Sequence, residues 1–279
     1  MSGQPEVPLP VTSSFEPEFT RSQASLYREV LLMFNEHRIP YVVSGAFALQ
    51  QHTGIWRATK DLDLFLTPQT VAGALRLLRE HGYHCEICDP VWLAKAHRDD
   101  FFVDMITGMS NAVITVTDSW IARARPAVVV GTETRVLAPE ELLASKLFVT
   151  RRERFDGADI AHVIYGTRGE MDWDRIFELV GEHWEMLFYA LVLFRYVYPA
   201  QTHYVPDRVW QELLTRLRKE IKQPNKAARF RGSLIDDKMF AIDVNEWALD
   251  DILSEYRARR MPKLDWSAEC PDQAGKRRI

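Results

Sequence analysis

The chain has 279 residues, 35 Lys and Arg against 39 Asp and Glu for a formal charge of −4, and 47% hydrophobic residues. That balance belongs to a globular protein and excludes disordered, collagen-like and coiled-coil chains. A pI near 6.1 also argues against indiscriminate coating of nucleic acid, which needs a broad excess of cations over the phosphate backbone.

Residues 1–20 carry four prolines and no periodic apolar pattern, so a flexible tail is expected there. No basic region followed by an apolar run opens the chain, and the longest apolar stretch, Leu187 to Phe194, is broken by Arg195. Neither a secretory leader nor a membrane span is expected, and the cytoplasm is the expected compartment. Cys85, Cys88 and Cys270 are expected as free thiols.

Leu26, Val30, Met33 and Phe34 recur at helical spacing and the pattern stops before Pro40, which predicts a first helix. Tyr41 to Val43 reads as a short strand, Ser44-Gly45 as a turn, and Ala46 to His52 as a helix closed by Thr53-Gly54. Asp61 to Leu66 is a strand, Pro68 to His81 an amphipathic helix closed by Gly82, and Phe101 to Ile106 another strand. Val113 to Val116 and Ala127 to Val130 are two further β-rich runs, with turns at Gly108 and at Gly131-Thr132. From Pro139 the pattern turns helical: Glu140 to Arg152, Asp156 to Tyr165, Asp172 to Glu182 and Glu185 to Tyr198. The expected class is α/β (α+β), with a mixed-sheet core over residues 21–136, a mainly helical region over 137–262 and a loose tail over 263–279.

Strand side chains alternate between faces, so Asp61 and Asp63 point the same way, about 7 Å apart along the strand. Leu62, Leu64 and Leu66 lie on the other face, which makes the strand apolar on one side and acidic on the other. Two unneutralised acids side by side imply either solvent exposure on an edge strand or a bound divalent cation. Asp104 sits inside the apolar run Phe101 to Ile106, where a charge needs a partner, and is the natural third ligand. Three such carboxylates can hold two Mg²⁺ ions, or Mn²⁺ in their place, which is the chemistry of phosphoryl or nucleotidyl transfer. Upstream, Ser44-Gly45-Ala46 places backbone amides at a helix N-terminus, a ready site for phosphate, and Arg57 and Lys60 lead into Asp61.

The segment YVVSGAFALQQHTGIWRATKDLDLFL, Tyr41 to Leu66, resembles the nucleotidyltransferase superfamily of the DNA polymerase beta kind. There a strand ending in Gly-Gly or Gly-Ser precedes a helix, then an Asp-x-Asp strand, then a third Asp, an order matched by Gly45, Asp61, Asp63 and Asp104. A second block, LAPEELLASKLFVTRRERFDGADI from Leu137 to Ile160, is similar to the abortive-infection and toxin-like branch of these enzymes. The resemblance implies a magnesium-dependent enzyme with catalytic and metal-binding Asp61, Asp63 and Asp104. It implies nucleotide contacts at Ser44, Gly45, Arg57, Lys60 and Lys146, Asp159 as an active-site acid, and Asp156 and Arg152 as neighbours. A nucleoside triphosphate would be the donor, an RNA such as tRNA, a protein or a small molecule the acceptor, and an antitoxin protein the partner of a toxin-type member. Ala46 departs from the pattern, standing where a second Gly or Ser is expected, and a catalytically idle nucleotide- or RNA-binding module of the same fold is the competing expectation.

Three further features carry alternatives. Lys146 follows Leu142 by four residues and Leu143 by three, so it falls in an apolar stripe, where it either meets a phosphate or snorkels to water. His81, His84, Cys85 and Cys88 have the residue types of a zinc site, but a strand at Tyr83 to Ile87 would splay them, and reduced core cysteines are expected instead. Arg216 to Arg231 holds seven cations against Glu220 alone, which reads equally as an RNA-binding groove or as a solvated helix face and loop, with Trp210, Phe230 and Trp247 as stacking or core aromatics.

Overall fold

A computed structural model describes residues 19–260. The expected tails at 1–20 and 263–279, and Cys270, lie outside the described residues apart from Phe19 and Thr20. Among the described residues no helix is long and apolar enough to cross a membrane.

The elements run α1 (Arg21–Glu36), β1 (Val42–Val43), α2 (Gly45–Thr53), β2 (Asp61–Phe65), α3 (Val71–Glu80), β3 (His84–Asp89), β4 (Leu93–Arg98) and β5 (Phe101–Ile106). They continue with α4 (Asp118–Arg123), β6 (Arg125–Val129), β7 (Thr132–Val136), α5 (Pro139–Lys146), α6 (Gly157–Gly166), α7 (Trp173–Val180), α8 (Trp184–Val197) and α9 (Asp207–Lys222). Three short helices follow: α10 (Ser233–Asp236), α11 (Ala241–Asn245) and α12 (Leu253–Arg260). The strands form one seven-stranded mixed sheet in the order β3-β4-β5-β2-β1-β7-β6. The fold is therefore a mixed-sheet α/β unit with a mainly helical C-terminal part.

Alternation along β2 decides how the sheet is packed. Leu62 and Leu64 are fully buried on one face, with Val103 and Met105 of β5 and Ala94 and Ala96 of β4. Helices α1 and α3 pack on the sheet, α1 against β5 and β7 and α3 against β3, and α1 buries Leu26, Tyr27, Val30, Leu31 and Phe34. Each such side chain contributes about 1.5–3 kcal/mol when removed from water. Thr20 caps α1 by accepting from the Gln23 amide at 3.2 Å, which starts that helix at Arg21, ahead of Leu26 where its apolar pattern begins. The buried hydrophobic cluster continues through α5, α6, α7 and α8 to Leu213 of α9.

The structure departs from the expected elements at four places. Val113 to Val116 makes only an isolated bridge, Gly108 to Thr115, because Met109 and Val116 bond back within the same loop and bury Ile114 and Val116 there. Leu93–Arg98 and Thr132–Val136 are strands that apolar content did not announce: β4 supplies small alanines to the core and β7 alternates with polar residues. The turn joining β6 to β7 is Val130-Gly131, both at positive φ (51° and 72°), as a two-residue hairpin turn requires, so Thr132 begins the strand instead of ending the turn. The predicted helix Glu140 to Arg152 stops at Lys146, and residues 147–156 form a loop pinned by a Thr150–Phe155 bridge.

Candidate active site

β2 and β5 are parallel neighbours, with Asp61 opposite Phe102 and Asp63 opposite Asp104. Residues paired across a sheet share a face, so this register brings the third acid beside the first two. One carboxylate oxygen from each of Asp61, Asp63 and Asp104 lies within 4.8 Å of the others. Asp61 and Asp63 are partly exposed and Asp104 is buried. Burial, then the charges of Asp61 and Asp104, push the pKa of Asp63 up to about 7. Burial also raises Asp104, against the opposing pull of Lys95. A hard divalent cation takes several carboxylate oxygens, and a cluster of acids that cannot all ionise comfortably fits one.

The triad faces a cleft of about 430 Å³, within the usual range for a small-molecule site. Ser44, Gly45 and Ala46 line one part of it, where β1 gives way to α2. The Ser44 amide donates to the Asp63 carbonyl at 2.9 Å, which ties this turn to β2. Gly45 has φ 58°, and a Cβ at that position would collide with the Asp63 carboxylate. Only glycine allows the turn to pass so close to the acid. On the other side of the triad, Thr59 donates its hydroxyl to Asp61.

The helical half supplies the facing wall. Lys146, 7% exposed, pairs with Asp156 and Asp159 at 2.8 Å each. It neither snorkels to water nor stands alone in an apolar stripe. Arg57 pairs with Asp159, and Arg154 with Asp156 at 3.1 Å. Burial works to raise Asp156, but Lys146 and Arg154 outweigh it and hold the carboxyl below its usual range. Arg151, Met109, Ser110, Asn111 and Trp92 complete this side. The loop carrying Ser110 and Asn111 is fastened by the C-terminal helices: Asn111 donates to the Leu234 carbonyl at 2.8 Å, and Arg257 donates to the Ser110 carbonyl at 2.8 Å while gripping Asp89.

Of the residues singled out in the sequence, Ser44, Gly45, Arg57, Asp61, Asp63, Asp104, Lys146, Asp156 and Asp159 all line this one cleft. Lys60 does not line it: the side chain is exposed, and its parity along β2 is that of Leu62, the opposite face. Arg152 is also outside, its backbone amide bonded to Asp236, and Arg151 and Arg154 take the places in the wall. Lys95 was not legible as a site residue. It sits opposite Asp104 in the β4–β5 register, with its ammonium 2.6 Å from the carboxylate. The alternation Ala94-Lys95-Ala96-His97 was the signal available.

Of the zinc-like cluster, His84, Cys85 and Cys88 fall on β3 while His81 ends α3, with Cys85 buried and Cys88 exposed, and the acidic triad is the only group of metal-ligating residues among the described residues. The basic stretch is partly neutralised: Arg216 pairs with Glu212, Arg229 with Asp250 and Glu255, and Arg231 with Glu182 and Glu185. Arg218, Lys219, Lys222 and Lys226 form no ion pair among the described residues. Phe230 packs on Phe240 and Trp210 on Phe188, while Trp247 is 64% exposed.

Residues 18–199 match the model of a family described as uncharacterised nucleotidyltransferase. No curated protein matches the sequence at a significant level. Among solved structures the chain is similar to the antibiotic-resistance factor ANT(2'')-Ia, at 18% identity over 66% of this chain and 97% of that one, with a TM-score of 0.40. It is similar to an antigenic nucleotidyltransferase-like protein from Paracoccidioides brasiliensis at 16% identity, over 67% of this chain and 95% of that one, with a TM-score of 0.42. A tRNA nucleotidyltransferase complexed with a primer tRNA and an ATP analogue is 16% identical over 78% of this chain and 70% of that one, with a TM-score of 0.27.

Proposed function

The chain belongs to this nucleotidyltransferase family, and we propose that it transfers a nucleotidyl group from a nucleoside triphosphate to an acceptor hydroxyl in a Mg²⁺-dependent reaction. The observation that carries this reading is the convergence of Asp61, Asp63 and Asp104 within 4.8 Å, in a cleft that also holds the Ser44-Gly45 turn. A divalent ion held by these carboxylates would polarise the phosphate oxygens and lower the pKa of an attacking hydroxyl.

The amides at the start of α2 receive phosphate oxygens, and Gly45 keeps the backbone near enough to Asp63 for phosphate and carboxylates to meet. Arg57, Arg154 and Lys146 counter the charge that builds on the leaving group. Two of the three N–H donors of Lys146 are taken by Asp156 and Asp159, and the third is the one a phosphate oxygen accepts. Asp104, whose basicity burial increases, accepts the proton of the acceptor hydroxyl. The oxygen thus freed bonds to the α-phosphorus, the bond to the β-phosphate oxygen breaks, and pyrophosphate leaves.

The test is incubation of the protein with each labelled nucleoside triphosphate, Mg²⁺ and either total RNA or total cell protein. Label in a macromolecule, lost with Asp63→Ala, is the expected result and identifies the donor and the acceptor class together. Triphosphate binding with no pyrophosphate release, under these conditions or with a total small-molecule extract added as acceptor, overturns transfer and leaves the idle binding module. A toxin-type role predicts growth arrest on expression that Asp63→Ala abolishes.

A further inference from the structure

Among the described residues, Lys95 is the sheet cation that pairs with the acidic triad. It stands directly opposite Asp104 in the β4–β5 register, and its ammonium is 2.6 Å from Asp104 Oδ1. The Phe102 ring, whose centroid is 4.1 Å from the same nitrogen, covers it further. The other acid Lys95 faces, Glu86 on β3, is engaged by His97 at 3.0 Å, so the ammonium is committed to Asp104. The side chain is 21% exposed, and that of Asp104 is 11% exposed. This is a desolvated pair of fixed geometry rather than a passing surface contact.

A second divalent ion at Asp104 would have to share that carboxylate with a cation already in contact with it, and like charges at such a distance repel. We infer that Lys95 takes the place of one of the two metal ions expected from the sequence, so that the chain holds a single divalent ion, between Asp61 and Asp63, with Asp104 kept as a lysine-paired carboxylate. Lys95 is then a positioning residue that fixes the metal count and the orientation of Asp104. This inference rests on the reading of the triad as a metal site.

The test counts Mn²⁺ bound to the full chain by electron paramagnetic resonance, in the presence of a triphosphate whose α,β-bridging oxygen is replaced by methylene so that it cannot react. Wild type is expected to bind one ion per chain with no Mn–Mn coupling. Lys95→Met is expected to bind two, with the coupled-pair signature, and Lys95→Arg, which keeps the charge, to bind one. Two ions in wild type, or one ion in both wild type and Lys95→Met, overturn the inference and leave the metal-site reading standing. No ion in any form overturns the metal-site reading itself. Should Lys95→Met fail to fold by circular dichroism, Lys95→Gln, a neutral donor to Asp104, is read in its place with the same expectations.

Discussion

On the sheet side of the cleft, Asp61, Asp63 and Asp104 crowd together with Lys95 as their built-in counter-charge, and the pKa of Asp63 is pushed up to about 7. On the helical side, Lys146 lies between Asp156 and Asp159, with Arg57 and Arg154 closing the outer edges, and Asp156 is held below its usual range. Both clusters hold charge away from water, yet only in the second are the acids fully countered by neighbouring side chains, three cations against two carboxylates. An imbalance of negative charge that the fold preserves is where a cation binds, whereas a balanced cluster organises the wall opposite. The two therefore respond to mutation in opposite directions.

The largest expected effect is on activity. Asp61→Ala and Asp63→Ala should each lower transfer by at least about 10³-fold, equivalent to about 4 kcal/mol of barrier, while leaving the circular dichroism spectrum unchanged. Near-full transfer in either variant would break the assignment of the sheet-side cluster. On the helical side the effect is on stability: Lys146→Ala leaves Asp156 with Arg154 alone and Asp159 with Arg57 alone, and should cost about 1.5–3 kcal/mol in a urea melt. A cost below about 1 kcal/mol would place Lys146 among solvated pairs and erase the contrast.

Gly45→Ala tests the contact between the turn and the acid. Adopting a left-handed backbone costs about 1–2 kcal/mol, and the added methyl also displaces the Asp63 carboxylate. Transfer should fall together with the melting temperature, and unchanged kinetics would show that the turn does not set the acid's position.

Proton uptake at Asp63 separates the two clusters further. Asp63 titrates near 3.8 in an unfolded chain and about 7 in the fold, so between those values the metal-free native state holds a proton that the unfolded state has released. Stability of the metal-free protein should decline as pH rises from about 4 through about 7. Asp63→Asn should flatten that slope and melt higher than wild type above pH 7, and a variant that melts lower at pH 8 would contradict the reading of an uncompensated cluster. The smallest expected effect is at the surface, where Glu212→Ala removes an exposed i,i+4 pair with Arg216 and should change stability by only about 0.3–0.5 kcal/mol.

Asp61, Asp63 and Gly45 were legible because the information is local. A period of two puts both acids on one face whatever lies beyond the strand, and a glycine between a strand and a helix marks a turn that tolerates close approach. Asp104 was legible for a different reason: a charge inside Phe101 to Ile106 needs a partner wherever the strand sits. What partner it has was not legible. Lys95 lies in a strand built on alanines, whose weak apolar signal hid β4, and pairing between strands is set by register rather than by spacing along the chain.

The same division runs through the rest of the molecule. Local pattern was enough for the succession of strand, turn and helix through β2, the helical character after Pro139, and the acids of the triad, since propensity and periodicity act over a few residues. Only the tertiary structure decided that Lys146 would be balanced by Asp156 and Asp159, that Lys60 would miss the cleft while Arg57 and Arg154 reached it, and that Arg229 and Arg231 would be neutralised by acids from 182 to 255. Charge interactions depend on distance in space and on exclusion of water, and neither quantity exists until the chain has packed.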